Sequence, residues 1–211
     1  MKTSEMTQIA IISIVAIVMI YRLVKSGFLE RLNSSAGLIR YNINSGNQTD
    51  LIYAPDYDPE WFSELSKKYS WVDFNDYDNK FWEYMYQLFD TLPKLANTSS
   101  EDALFAKCNR GQKVFWSVLA FTGDVDNGGV EQFFKNRPAF SVASLQAFKE
   151  LNTEPLASDY EKCLNAFNNK ENISNPANAI EEYFYKKEFK LELYKTVVEY
   201  IDEHIDQFVR K

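Results

Sequence analysis

Gly123-Asp124-Val125-Asp126-Asn127-Gly128-Gly129-Val130-Glu131-Gln132-Phe133-Phe134-Lys135-Asn136 holds three of the seven glycines in a chain of 211 residues. Glycine costs backbone entropy, so a cluster of it in a glycine-poor chain marks backbone that takes positive φ or packs closely. Upstream, Val114, Phe115, Val118, Leu119 and Phe121 recur at helical spacing. Asn127-Gly128-Gly129 stops that pattern and Gln132-Phe133-Phe134 restarts it. The stretch therefore predicts a helix, a tight turn and a second helix, with Asp124, Asp126, Gln132 and Asn136 set around the turn and Asn127 or Asp126 capping the second helix.

Working outward, the helical period persists. Asp58-Pro59-Glu60 is a helix start, with an N-cap acid and Pro at the first position. Phe81, Met85, Leu88, Phe89 and Leu92 form an apolar stripe, and Ser99 or Ser100 caps a helix through Ala103 and Leu104. Gly111 is expected to split that helix from Val114–Phe121. After the turn come Glu131–Lys135, Val142–Leu151, Asp159–Phe167 and Ala177–Lys187. Leu191, Tyr194, Val198, Ile201, Ile205 and Phe208 then predict one long last helix. No stretch shows sustained period-two alternation, so the fold class is all-α: a compact multi-helix domain with a long C-terminal helix.

The glycine-rich stretch also resembles the signature of a bacterial family of DNA-mimic-like proteins, written Glu-Val-Asn-Asn-Gly-Gly-Phe-x-Gln-Tyr-Phe-x-Asn. Asn127, Gly128, Gly129, Gln132, Phe134 and Asn136 fall on matching positions. Asp124 stands where the family has Glu, Asp126 where it has Asn, Val130 where it has Phe, and Phe133 where it has Tyr. The resemblance covers the chain from about Ser100 to its end. It implies an all-helical fold and, for some members, action by resembling DNA. On the residues themselves, the motif positions Asp124, Asp126, Asn127, Gly128, Gly129, Gln132, Phe134 and Asn136 read as structural first and as a recognition surface second.

The N-terminus reads differently. Ile9 to Tyr21 is uncharged, and Leu23 and Val24 continue it past Arg22. Such a run spans about 20–24 Å as helix, against a hydrocarbon core of about 30 Å. No small-x-small cleavage site follows, which favours an anchor over a cleaved signal. Arg22, Lys25, Arg31 and Arg40 follow the run and place the rest of the chain in the cytoplasm by the positive-inside rule. The expected organisation is a single-pass inner-membrane anchor over 1–25, with the membrane crossed by residues 9–24, a linker over 26–55 rich in Asn, Ser and Gly, and an all-α domain over 56–211.

Net charge is −7. Residues 50–90 alone hold ten acids against three lysines, whereas residues 1–49 are net basic. Direct nucleic-acid binding needs clustered Lys and Arg and is excluded on this balance. Asp56, Asp58, Asp73, Asp76 and Asp78 are the candidate acidic surface, and the partner that suits it is a basic protein.

Chemistry finds little support. His204 is the one histidine, which excludes a histidine triad or multi-histidine metal site within the chain. Asp124-x-Asp126 opens like a calcium loop, but Gly128 and Lys135 stand where oxygen ligands belong. Cys108 and Cys163 are too few for a disulfide scaffold. The chain is read as non-enzymatic, without catalytic residues, metal or cofactor. Its function is expected to be protein binding through an acidic surface, in one version by occupying a basic DNA-binding protein. An immunity-type or toxin-neutralising protein, and an enzyme centred on the Asn-Gly-Gly turn, are the alternatives; oligomeric state is left open.

Overall fold

The computed structural model describes residues 40–44 and 92–208. The regular elements among these residues are all helical, with no strand. After a helical turn at 92–96 come α1 (Glu101–Lys107), α2 (Arg110–Asn136), a 3-10 turn (Pro138–Phe140), α3 (Ser141–Glu150), α4 (Leu156–Asn168), α5 (Ser174–Phe184), α6 (Lys187–Glu203) and a closing 3-10 turn (Ile205–Gln207).

The break between α1 and α2 falls at Cys108-Asn109 rather than at Gly111. Asn109 accepts from the Gln112 backbone N–H at 2.9 Å, and Gln112 Oε1 accepts from the Asn109 N–H at 3.2 Å, a reciprocal cap that starts α2. Gly111 sits inside the first turn for another reason. A β-carbon there would lie 2.9 Å from the Phe208 ring. The closing 3-10 turn uses this proximity: Gln207 accepts the Gly111 N–H at 2.6 Å, and its carbonyl accepts Asn109 Nδ2 at 2.6 Å.

Before Gly128, α2 is buried along most of its length, from Val114 and Phe115 through Val118 and Phe121 to Val125. The other helices wrap it. α3 and α5 pack on α2, and α4 bridges them. Phe121 is the hub, with the rings of Phe133, Phe148, Tyr160 and Phe184 at 5.1–5.6 Å, all edge-on. Those rings come from the far arm of α2, from α3, from α4 and from α5. Edge-to-face pairs each add about 0.5–1.5 kcal/mol beyond the area they bury. Tyr160 is fully buried and donates its hydroxyl to the Ser141 carbonyl at 2.9 Å, so its one polar atom is satisfied.

α3 and α4 stop the same way. Asn152 and Lys170 take left-handed conformations at φ 52° and 58°, and the following N–H groups of Thr153 and Glu171 bond back to Phe148 and Ala166. The last helix is shorter than its apolar stripe predicts. His204 leaves helical geometry at φ −117°, ψ 33°, which turns Phe208 into the core against Phe115. The buried face of α6 includes Leu193 and Val197 alongside Tyr194, Val198 and Ile201, while Leu191 and Ile205 are half-buried.

Two sequence expectations change here. Tyr41 and Ile43, in the stretch 26–55 assigned to linker, are core residues, 6% and 4% exposed. The other boundaries, the segment 1–25 and the domain start at 56, lie outside the described residues. Membrane localisation is also corrected: among the described residues no helix is long and apolar enough to cross a membrane. The longest, α2, carries Arg110, Lys113, Asp124 and Asp126 along its length, and α6 has a charged outer face. Residues 9–24, on which the expectation rested, lie outside the described residues, and their run is short for a bilayer core.

Arg110 and Glu150 tie the start of α2 to the end of α3 through two parallel bonds of 2.9 and 2.5 Å. The guanidinium holds the Glu150 carboxyl below its ordinary value. A depressed carboxyl stabilises the fold above its unfolded value of about 4.5 and loses that contribution as pH falls through the lower folded value. Chemical denaturation from pH 6 down to pH 3 should therefore show a shallower loss of stability in Glu150→Gln than in the unaltered chain. A separate measurement addresses the hub: Phe121→Ala should destabilise by about 3–5 kcal/mol, while truncating the exposed Leu95 should change stability by no more than about 0.5 kcal/mol.

Candidate functional site

The turn anticipated around Asn127-Gly128-Gly129 is a full reversal. In a continuous helix Phe121 and Phe133 would be about 18 Å apart along the axis. Their ring centres lie 5.2 Å apart. Gly128 is extended at φ −176°, a conformation open to any residue, whereas Gly129 takes φ +86° with ψ 175°, which strongly favours glycine. A β-carbon on Gly129 would also fall 2.5 Å from Glu181 Oε1. On Gly128 it would meet only the carboxamide end of Gln132, a side chain that can swing aside.

A reversal inside a helix strips carbonyls and N–H groups of their helical partners, and buried ones must find others. Side chains meet four of them. The Tyr185 hydroxyl donates to the Val125 carbonyl at 2.8 Å. Asn127 Nδ2 donates to the Gly123 carbonyl at 2.6 Å, and Gln132 Nε2 reaches the Asp124 carbonyl at 3.5 Å. Glu181 accepts the Val130 N–H at 2.7 Å. Neither Asn127 nor Asp126 caps the second arm: Asn127 reaches back into the first, and Asp126 points across to Lys190. The cap arrives from α5, fifty-one residues away in sequence.

Charged groups clamp the arms from outside. Asp124 accepts from Asn136 Nδ2 and from Arg137 Nε, both at 3.1 Å, and Arg137 bonds Glu101 on α1 at 2.6 Å. Asp126 pairs with Lys190, whose ammonium also lies 5.2 and 5.6 Å from the ring centres of Phe184 and Tyr185. Burial and then the nearby Glu181 and Asp126 carboxylates push the Tyr185 hydroxyl up, keeping it protonated as the donor that Val125 requires. The structure thus brings Asp124, Gln132 and Asn136 together on the reversal and sends Asp126 to α6. Phe134 is core, stacked on Tyr160 at 5.3 Å with Phe167 at 5.1 Å. Asp126, Asn127 and Gly128 present the exposed edge.

Asp124, Asp126 and Glu181 are each committed to a cation or an N–H, so the arrangement serves as a staple. Among the described residues no group of three or more His, Cys, Asp or Glu could hold a metal ion. Cys108 and Cys163 are buried free thiols, and burial pushes both to about 12, far from thiolate reactivity. His204 is half-buried and stacked on Tyr200 at 4.3 Å. Glu101, Arg137, Glu181, Tyr185 and Lys190 were not singled out by the sequence. Arg137 at least adjoins the motif; the others are distant in sequence and only contact reveals them.

Asp56, Asp58, Asp73, Asp76 and Asp78 lie outside the described residues. A second acidic surface is visible instead. Glu188, Glu192, Glu199, Asp202, Glu203 and Asp206 are all exposed along the outer side of α6 and the closing turn. Lys195 is the one base on that row, 4.0 Å from Glu199. The last turn of α6 holds no base, although a helix C-terminus favours cations.

A family model described as DMP19-like protein matches residues 106–208, just under half of the chain. The match runs from the end of α1 to Phe208 and contains the reversal, the Phe121 hub and the acidic row. No curated protein and no solved structure matches the chain.

Thermal and denaturant melts of the two glycine variants separate conformational need from crowding. Gly129→Ala should cost about 1–3 kcal/mol through strained φ and displacement of Glu181. Gly128→Ala should cost clearly less, because only the Gln132 amide has to move. Glu181→Gln, which keeps an acceptor for Val130, should be milder than Glu181→Ala.

Proposed function

We propose, from the similarity to DMP19-like proteins, that this chain is a non-enzymatic binding protein whose acidic surface occupies the basic face of a DNA-binding protein. The observation that carries the reading is the row on α6. Its members from Glu188 to Glu203 share one side of α6, and Asp206 follows on the closing turn. Glu188 and Glu192 lie four residues apart, about 6 Å of rise, and Glu199, Asp202 and Glu203 form a second group about 10 Å further on, with Lys195 in the interval. Duplex DNA carries one charge per about 3.4 Å on each strand. The row is sparser than one strand yet of the same sign and equally preorganised.

Helix stability argues that these charges serve something else. Glu199, Asp202 and Glu203 sit at the negative end of the α6 dipole, where acids are unfavourable by about 0.3–1 kcal/mol each. Function is a common reason for a sequence to keep residues that a local rule disfavours. Over residues 92–208, eighteen acids face thirteen bases, so the field around the row is not cancelled. Residues 50–90 hold ten further acids against three lysines, which makes the chain more acidic still. The commitment of Asp124, Asp126 and Glu181 to partners at the reversal supports binding over catalysis.

The test uses the full-length chain as bait, with bound proteins identified and their kinetics measured. Association should slow steeply between about 50 mM and 0.5 M salt, since exposed charges act over a Debye length of about 8–10 Å at moderate salt. Replacing Glu188, Glu192, Glu199, Asp202 and Asp206 by their amides should reduce the association rate by roughly tenfold while the melt is kept. A short DNA duplex should compete. Binding indifferent to salt and to the five substitutions would remove the acidic surface from the account. Salt-sensitive binding without duplex competition would keep the interaction and favour an immunity-type or toxin-neutralising partner.

A further inference from the structure

The strap of residues 40–44 is held the way a short peptide ligand is held. It has no regular secondary structure and ends in a turn closed by the Asn42 side chain on the Asn44 N–H at 2.8 Å. Alternate side chains enter the body: Tyr41 and Ile43 are buried, whereas Arg40 and Asn44 are exposed and Asn42 is half-buried. Tyr41 lies flat on Phe105 of α1 at 4.5 Å and edge-on to Phe140 of the 3-10 turn at 4.7 Å.

The polar contacts are those of peptide recognition as well. The Tyr41 N–H donates to the Ala139 carbonyl at 2.7 Å, a backbone bond that ignores side-chain identity. Gln146 of α3 accepts the Ile43 N–H at 3.0 Å with its side chain. The Tyr41 hydroxyl donates to Asp102, and Arg110 donates to Asn44. Backbone bonds supply affinity, and pockets for alternate residues supply selectivity. The strap also comes from outside residues 106–208, the stretch matched by the family model, whereas Phe140 and Gln146 belong to that stretch.

We propose that the groove between α1, the 3-10 turn and α3 is a peptide-recognition groove filled in cis. Residues 40–44 are its resident ligand, and a partner protein presenting a tyrosine-x-isoleucine segment binds by displacing them. The chain's own segment is favoured by tethering, so an external one competes only at high local concentration or when the strap is weakened. This inference is independent of the acidic row on α6.

The experiment uses the full-length chain, the Tyr41→Ala/Ile43→Ala variant, and a fluorescent peptide of residues 38–46. Fluorescence anisotropy should show micromolar binding to the variant and at least about tenfold weaker binding to the unaltered chain. The same peptide with both alanines should not bind. The peptide should also raise the melting temperature of the variant, since a ligand of the folded state stabilises it. A variant that melts cooperatively yet ignores millimolar peptide would overturn the proposal. So would a variant that fails to fold and is not restored by peptide, because residues 40–44 would then be ordinary core. A second arm avoids the substitutions: a protease site inserted after Asn44 is cut in the folded protein. Exchange of the retained strap for labelled peptide supports the groove, and a day without exchange refutes it.

Discussion

The reversal of α2 at Gly128-Gly129 is the constraint on which the rest of the fold turns. It returns Phe133 and Phe134 beside the helix they follow, so one element supplies both the hub ring Phe121 and a ring that packs on it. α3, α4 and α5 then close around a centre already made of two arms, each adding a ring to Phe121. A straight α2 would carry Phe133 about 18 Å away and leave those rings without their common partner. Folding back also breaks helical hydrogen bonding in a half-buried place. The molecule meets that cost with Tyr185, Asn127, Gln132 and Glu181, and ties the arms with Asp124, Asn136 and Arg137.

This makes the glycine motif a device for architecture, with Asp126, Asn127 and Gly128 exposed at the turn itself. The staple is built from charge-assisted bonds with side chains only 13–21% exposed. Such pairs are costly to break one partner at a time, because the other stays desolvated. Rigidity at the reversal sets where α5 lies, and Lys190 carries the tie onward to α6. The acidic row on α6 is therefore displayed on a helix anchored at its N-terminal end by the staple. Its C-terminal end is anchored by the closing turn on α2. A comb of charge is effective for binding only when its spacing is held, and these two attachments hold it.

Residues 40–44 show a different economy. Most of the core is made by helices packing side by side, but Tyr41 and Ile43 reach it from a segment with no helical period and no hydrophobic run. Two apolar residues with one polar residue between them are enough once an aromatic groove waits for them. The groove exists because Phe105, Trp116 and Phe140 converge from three separate elements, with ring centres 5.4–6.0 Å apart.

The helical class, the described helices in outline and the place of the turn were legible in the sequence, because apolar period and glycine clustering are local signals. Local chemistry likewise separated Gly128-Gly129 from the helices on either side. It failed wherever a residue answers to a distant partner. Gly111 reads as a break, yet it is helical and small because Phe208 lies against it. Leu191 to Phe208 reads as one helix, yet it bends at His204 so that Phe208 and Gln207 can meet α2. Asn127 reads as a cap, yet Glu181 caps, since a freed N–H takes whichever acceptor packing delivers. Residues 40–44 read as linker because two apolar side chains carry no periodic signal. The identities of the charged residues on α6 were plain from the chain. Their display as an exposed row, and the commitment of Asp124, Asp126 and Glu181 to partners, were decided only by tertiary packing, which fixes which groups meet solvent and which meet each other.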